Sequence, residues 1–258
     1  MCSRVCPVGI ISMDDRGFPV ESEDAMKRCI ACGHCVAVCP HAALSLESMA
    51  ADSCLSLPAA WNLSPEQADF FLKGRRSIRA FKSDAVPRAS IEQIINTARY
   101  APSGMNRQPV RWVIVYEQQK VREIAQETIS WMKSMIKDHP QFAHSMMFEN
   151  MVAGWEKGKD FICRNAPHLA LLYGLRDDLT APGACTIAGA YFELAALPHG
   201  LGTCWAGYAQ MALNKWPACA DIVNISKKCD CFAAFLLGYP QYSYPRVPLR
   251  NEPRISWR

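Results

Sequence analysis

The chain has 258 residues, enough for one large domain or for two with one of them small. Hydrophobic residues make up 50% and charged residues 20%, a balance that excludes a disordered chain, and a net charge of +4 is too mild for a nucleic-acid binder. The longest run free of Asp, Glu, Lys and Arg is 194–214. It contains Pro198, His199, Gly200 and Gly202, so it is not a membrane span. No secretory signal precedes the first cysteines, and the expected location is the cytoplasm.

Residues 1–46 are short, rich in cysteine and punctuated by Gly and Pro. Six of the 13 cysteines fall within the first 39 residues. This segment has too few large apolar residues to build its own core, so something else must hold it together. Its charge also differs from the rest, since residues 1–50 carry four basic and six acidic side chains. Residues 47–64 read as a linker or docking strand.

From Pro65 the pattern is that of a mixed α/β domain, 65–258. Ser90 and Gln93 form a capping box, followed by Ile91, Ile94, Ile95 and Ala98 at helical spacing. Residues 110–117 predict a buried strand. Val121, Ile124, Ala125, Thr128, Met132 and Met135 mark a second amphipathic helix. Residues 168–175 and 232–239 are further strands, and 184–197 is a buried helix stopped by Pro198.

The cysteines carry the sharpest signal. Cys29-x2-Cys32-x2-Cys35-x3-Cys39-Pro40 is the bacterial ferredoxin run, in which three close thiolates wrap one cubane and the fourth reaches a second cluster. A zinc site usually pairs two separated Cys-x2-Cys knuckles, which this run does not do. Cys2-x3-Cys6-Pro7 is the tail of the same motif, cut short. This segment resembles two-cluster ferredoxins. With ligand crossover, Cys6 completes the [4Fe-4S] cluster of Cys29, Cys32 and Cys35. Cys39 joins Cys2 on a second set that lacks two ligands. The simplest expectation is that the natural chain begins earlier; a single-cluster protein is the competing one. The other seven cysteines, Cys54, Cys163, Cys185, Cys204, Cys219, Cys229 and Cys231, have no ligand spacing and read as reduced, mostly core residues.

Four blocks mark a second site. Arg75-Arg76-Ser77-Ile78-Arg79-Ala80-Phe81 is dense in guanidinium forks and a hydroxyl, which suit a phosphate and a flat polar ring edge. Ala101-Pro102-Ser103-Gly104-Met105-Asn106-Arg107-Gln108-Pro109 is a loop of small and amide-bearing residues. Gly200-Leu201-Gly202-Thr203-Cys204-Trp205-Ala206-Gly207 and Leu237-Gly238-Tyr239-Pro240 follow, with Arg246 and Arg250 beyond. In order and spacing these blocks resemble the nitroreductase family of FMN-dependent oxidoreductases, and the N-terminal module resembles its ferredoxin-fused branch.

The resemblance implies an α+β fold: a ferredoxin-like module followed by a mixed, mainly antiparallel sheet surrounded by helices, in an intertwined homodimer with FMN at the interface. It assigns Arg75 and Ser77 to the FMN phosphate and ribityl chain, Arg76 to a backbone and ribityl contact, and Arg79 to the pyrimidine edge. Pro102, Ser103, Gly104 and Asn106 match the loop that the partner subunit lays beside the isoalloxazine, with Gln108 behind them. Ala206 and Gly207 match the backbone near the flavin ring, and Arg250, or else Arg246, makes the last phosphate contact. No Gly-x-Gly-x-x-Gly follows a strand, so NAD(P)H, if it is the donor, enters at the open flavin face; reduced ferredoxin is the other candidate. The implied activity is reduction of a small organic acceptor such as a nitroaromatic or quinone. The alternatives are electron delivery to a protein partner and a reductive dehalogenase or flavin-modifying member of the same superfamily. Glu193, in the buried helix, reads as a structural hydrogen-bonding group rather than a general base.

Overall fold

The computed structural model describes residues 1–58 and 62–258; the middle of the expected linker, 59–61, lies outside the described residues. The chain forms two compact units. One comprises Met1–Ser64 together with Ser103–Gln108, and the other Pro65–Pro102 with Pro109–Arg258. Sequence reading places residues 103–108 in the second domain, whereas the structure groups them with the first.

Among the described residues, the first unit holds three short α-helices, two of which end before a Cys-Pro pair. Helix α1 (Cys2–Val5) ends before Cys6-Pro7. An antiparallel hairpin follows, β1 (Ile11–Met13) with β2 (Pro19–Glu21), in the register Ile11 to Glu21. Its turn is closed by the Asp14 carboxylate, which accepts the N–H groups of Arg16 and Phe18 at 3.0 and 2.8 Å. Helix α2 (Ala25–Arg28) leads into the cysteine run, and α3 (His34–Val38) ends before Cys39-Pro40. Helices α1 and α3 pack on one another. Buried hydrophobic residues among 1–58 are Cys2, Ile10, Ala25 and Val36. Four such residues remove little apolar surface from water, a small core for a unit of this length.

The second unit is a four-stranded antiparallel sheet between two helical layers. It begins with α4 (Pro65–Gly74) and α5 (Arg88–Ala98). The expected capping box does not start α5. The helix begins at Arg88 after Pro87, and the Ser90 N–H, inside the first turn, donates to the Pro87 carbonyl at 3.0 Å. Pro87, with φ fixed at −55°, sets the helix start instead. Then come β3 (Arg111–Val115), α6 (Gln118–Asp138), α7 (Pro140–Ser145), α8 (Phe148–Glu156) and β4 (His168–Leu175). The remaining elements are α9 (Ala181–Ala196), β5 (Gly202–Trp205), α10 (Gly207–Lys215), α11 (Pro217–Val223) and β6 (Cys229–Gly238).

The strand order is β3-β4-β6-β5. The two central strands are buried on both faces, so they read as apolar runs rather than alternating ones. Leu169 and Leu171 of β4 face α6 and its neighbours, while Ala170 and Leu172 face α5 and α9. A register shift between Leu172 and Tyr173 lets β6 turn both Phe232 and Ala233 toward the α5–α9 side. The sheet gains its parallel component at its far edge, where Ser77 bridges Thr203 of β5. Gly202 has to be glycine there, because a Cβ would meet Ile78 Cγ1 at 2.3 Å and Pro240 at 3.0 Å.

Six of the seven non-run cysteines are buried, and Cys54 is exposed. Burial pushes the thiols of Cys185, Cys219 and Cys231 up to about 12, which keeps them protonated and inert. Met146 and Met151 pack against the α6 side of the core, and Trp131 is buried within it. No helix among the described residues is long and apolar enough to cross a membrane.

Candidate functional site

In the first unit, Cys6, Cys29, Cys32 and Cys35 line one cavity of about 500 Å³, and Cys2 and Cys39 are not among its lining residues. The same four thiols are the ones that the resemblance to two-cluster ferredoxins assigns to one cluster. Among the described residues, no three His, Cys, Asp or Glu side chains are gathered as a single metal ion requires. The thiols surround a volume instead, and a cubane fits that arrangement. The backbone around them supplies donors. The N–H groups of Ile10, Val8 and Gly9, with the charge of Arg28, outweigh burial and hold the Cys6 thiol below its ordinary value. Burial, followed by the neighbouring Cys32 and Cys29, pushes Cys35 up. Cys39 is lowered by N–H groups that begin with Ala43, whose nitrogen lies 3.3 Å from the sulfur. Donors aimed at thiolates are a means by which a protein tunes an iron–sulfur cluster.

In the second unit, the first basic block is stitched to β5. The Ile78 N–H donates to the Thr203 carbonyl at 2.8 Å. The Arg75 guanidinium lies 3.3 Å from Glu193 Oε1, and the Thr203 hydroxyl donates to the same oxygen at 2.9 Å. Arg75 and Glu193 are about 25% and 16% exposed, so the pair is largely shielded from water. Glu193 therefore joins α9, β5 and the basic block, in keeping with a structural role. Arg79 is exposed, and its guanidinium donates to the Ser77 carbonyl at 3.5 Å.

Cys204 reports the local charge. Burial raises its thiol, Arg79, Arg164 and Arg75 act to lower it, and Glu193 opposes them. The guanidinium groups of Arg79, Arg164 and Arg75 thus lie near enough to Cys204 to act on it, and guanidinium groups suit an anionic ligand such as a phosphate. Arg164 carried no sequence signal. It sits on a turn fixed by the Asp160 carboxylate, which accepts the N–H groups of Ile162, Cys163 and Asn165 at 2.8–3.0 Å.

Ala206 is buried and donates its N–H to the Ala234 carbonyl at 2.8 Å, and Gly207 is the first residue of α10. The first N–H groups of an α-helix have no partner within the helix. Arg246 and Arg250 lie on the exposed C-terminal segment beyond β6. Pro102 belongs to the second unit, and Ser103, Gly104, Asn106 and Gln108 to the first. There the Ser103 hydroxyl accepts the Gln108 N–H at 2.9 Å, and the Asn106 amide donates to the Ile30 and Ala31 carbonyls at 3.2 and 3.0 Å.

Comparison with known proteins decides the family. The model described as "Nitroreductase family" matches residues 72–239, more than half of the chain. The chain belongs to the nitroreductase family. A "4Fe-4S dicluster domain" matches residues 1–49, so this nitroreductase carries an N-terminal ferredoxin domain. An iodotyrosine deiodinase of Thermotoga neapolitana is 26% identical over 193 residues, covering 72% of this chain and 94% of the relative. One of Drosophila melanogaster is 28% identical over 198 residues, covering 70% and 66%. A pyruvate-flavodoxin oxidoreductase of Rhodospirillum rubrum is 39% identical over 56 residues, which is 22% of this chain and only 5% of that protein.

Among solved structures, a nitroreductase with bound FMN from Desulfitobacterium hafniense matches with a TM-score of 0.61 at 20% identity, covering 76% of this chain and 99% of that one. An oxidised iodotyrosine deiodinase bound to FMN and 3-iodo-L-tyrosine matches with a TM-score of 0.56 at 22% identity, covering 73% and 97%. The nitroreductase is thus an FMN-dependent oxidoreductase with a [4Fe-4S] module on the same chain.

Proposed function

We propose that this nitroreductase reduces a small organic acceptor, such as a nitroaromatic or a quinone, with electrons supplied through its own ferredoxin module. What supports the reading is the presence in one sequence of a nitroreductase-family domain and a 4Fe-4S dicluster domain, with Cys6, Cys29, Cys32 and Cys35 lining one cavity of the latter. A cluster handles electrons singly, and bound FMN exchanges them singly or in pairs, so the two together convert a one-electron supply into a two-electron reduction.

The chain's own residues bind and orient. Arg75, Arg76 and Ser77 hold the FMN phosphate and ribityl chain, with Arg164 adding charge and Arg250 or Arg246 closing over the phosphate. Arg79 lies at the pyrimidine edge, where a cation favours the reduced ring. The backbone of Ala206 and Gly207 meets the ring itself. Solvent water supplies the protons. Reduced ferredoxin donates through the module, and NAD(P)H entering at the open flavin face is the alternative donor. A homodimer completes the flavin site, consistent with Ile187 and Tyr191 of α9 being about 40% exposed.

A second reading, reductive dehalogenation of a halogenated phenol, is favoured by the deiodinase relatives. Anaerobically prereduced protein, mixed with a nitroaromatic, a quinone or an iodophenol, separates the readings. Rapid flavin reoxidation by the first two supports the proposal, and stoichiometric iodide release from the third supports the second reading. Reoxidation by none of them would reject both in favour of an electron-transfer module serving a protein partner.

A further inference from the structure

The segment from Cys29 to Gly33 has an unusual backbone. Ala31 has φ of +49° and Gly33 has φ of +73°. Glycine adopts this left-handed region freely, but alanine does so at a cost of about 1 kcal/mol or more. Alternation of this kind turns successive N–H groups to one side and forms a concavity that binds anions, iron–sulfur clusters among them. The N–H groups of Ala31, Cys32 and Gly33 have no backbone carbonyl partner among the described residues. Their donors are left for a cluster bound in the adjoining cavity.

The carbonyls of the same peptides point elsewhere, and one side chain gathers two of them. Asn106 Nδ2 donates to the Ile30 carbonyl at 3.2 Å and to the Ala31 carbonyl at 3.0 Å. Asn106 is itself in the left-handed region, with φ of +53°, beside Met105 at +51° and Gln108 at +48°. Three such residues within four positions store strain, and backbone strain of this kind persists only where the surroundings hold it. The Ser103 hydroxyl contributes by accepting the Gln108 N–H. The loop 103–108 is therefore wound so as to present one amide to the cluster-binding peptides.

We infer that Asn106 is a positioning residue of the iron–sulfur site, holding the Ile30–Ala31 peptides so that their opposite faces offer N–H groups to the cluster. Donation to the Ile30 carbonyl polarises the Ala31 N–H, and donation to the Ala31 carbonyl polarises the Cys32 N–H. Stronger donors to the cluster raise its reduction potential and shield its sulfurs. The role differs from the flavin contact that family resemblance implies for the same residue.

Asn106→Ala and Asn106→Asp test it in the full-length, anaerobically purified protein, with the wild type carrying both cofactors as reference. The Asp variant keeps the shape of Asn but removes the donor and adds a negative charge, whereas the Ala variant removes the donor without a charge, so a shift shared by both is assigned to the lost donor. The expected result is unchanged FMN content, a more negative cluster midpoint potential and faster bleaching of the cluster in air. Where air reaches the cluster through local opening, loss of two hydrogen bonds makes opening, and with it bleaching, on the order of tenfold more frequent. Adding Ala31→Gly to Asn106→Ala should recover part of the lost air stability, because glycine takes the left-handed conformation unaided. Loss of FMN in either single variant, or an unchanged potential and bleaching rate, overturns the assignment.

Discussion

Arg75 and Glu193 show how one side chain serves fold and ligand at once. Arg75→Ala removes a charge-assisted fork from the proposed phosphate site, and FMN should bind roughly tenfold to a hundredfold more weakly. It also strands the Glu193 carboxylate beside Thr203, so the FMN-free protein should lose about 2 kcal/mol of stability. Adding Glu193→Gln should restore much of that stability while leaving FMN binding weak. Thermal melts and fluorescence titration of FMN separate the two effects; undiminished FMN affinity in Arg75→Ala would remove the residue from the site.

His168 makes a second prediction at this scale. Its ring is buried, Nε2 accepts the Val86 N–H at 2.8 Å and Nδ1 faces the Tyr116 carbonyl at 2.7 Å. Tyr116 stacks on the imidazole with centroids 4.4 Å apart, and the Arg88 guanidinium covers Tyr116 in turn. Burial, partly offset by the bond to Tyr116, lowers the folded-state pKa below the usual value of about 6.5. Below that value the unfolded chain takes up a proton before the folded one, so stability should fall as pH drops through about 6.5 and further down to the folded pKa. Above it the group contributes no pH dependence. The acid slope of unfolding free energy against pH should flatten in His168→Gln, and an identical slope would contradict the buried neutral ring.

At the scale of elements, the cysteine spacing was the most legible feature, because a cubane fixes its ligand spacing through short-range chain geometry. Cys29→Ser, Cys32→Ser or Cys35→Ser should abolish the cluster while FMN stays bound, and the wild-type chain should hold about four irons, the number in one cubane. Eight irons would show that Cys2 and Cys39 support a second cluster with further ligands. The strands at 168–175 and 232–239 were readable as continuous apolar runs, since both faces are covered. The register shift in β6 was not readable, because it depends on what lies opposite Phe232 and Ala233. The capping box at Ser90 misled because local chemistry offered two starts for α5, and the proline at 87 won. Arg164 and the Asn106 contact were invisible in sequence, since each depends on a chain reversal that brings distant segments together.

At the scale of the whole molecule, two units with opposite stabilising strategies share one chain. The second is held by a two-sided sheet core, and the first has few buried apolar residues of its own. Cluster removal should therefore unfold the first unit and leave the melting of the second nearly unchanged, which calorimetry can resolve as separate transitions. A single transition that shifts with iron content would instead show that the units unfold together. The central claim is that electrons reach FMN through the cluster. Its most direct test is stopped-flow bleaching of the flavin band by a reduced ferredoxin, comparing the wild type with a Cys29→Ser/Cys32→Ser variant that retains FMN. The account predicts rapid flavin reduction in the wild type and a severe slowing in the cluster-free variant; equal rates in the two proteins would contradict it.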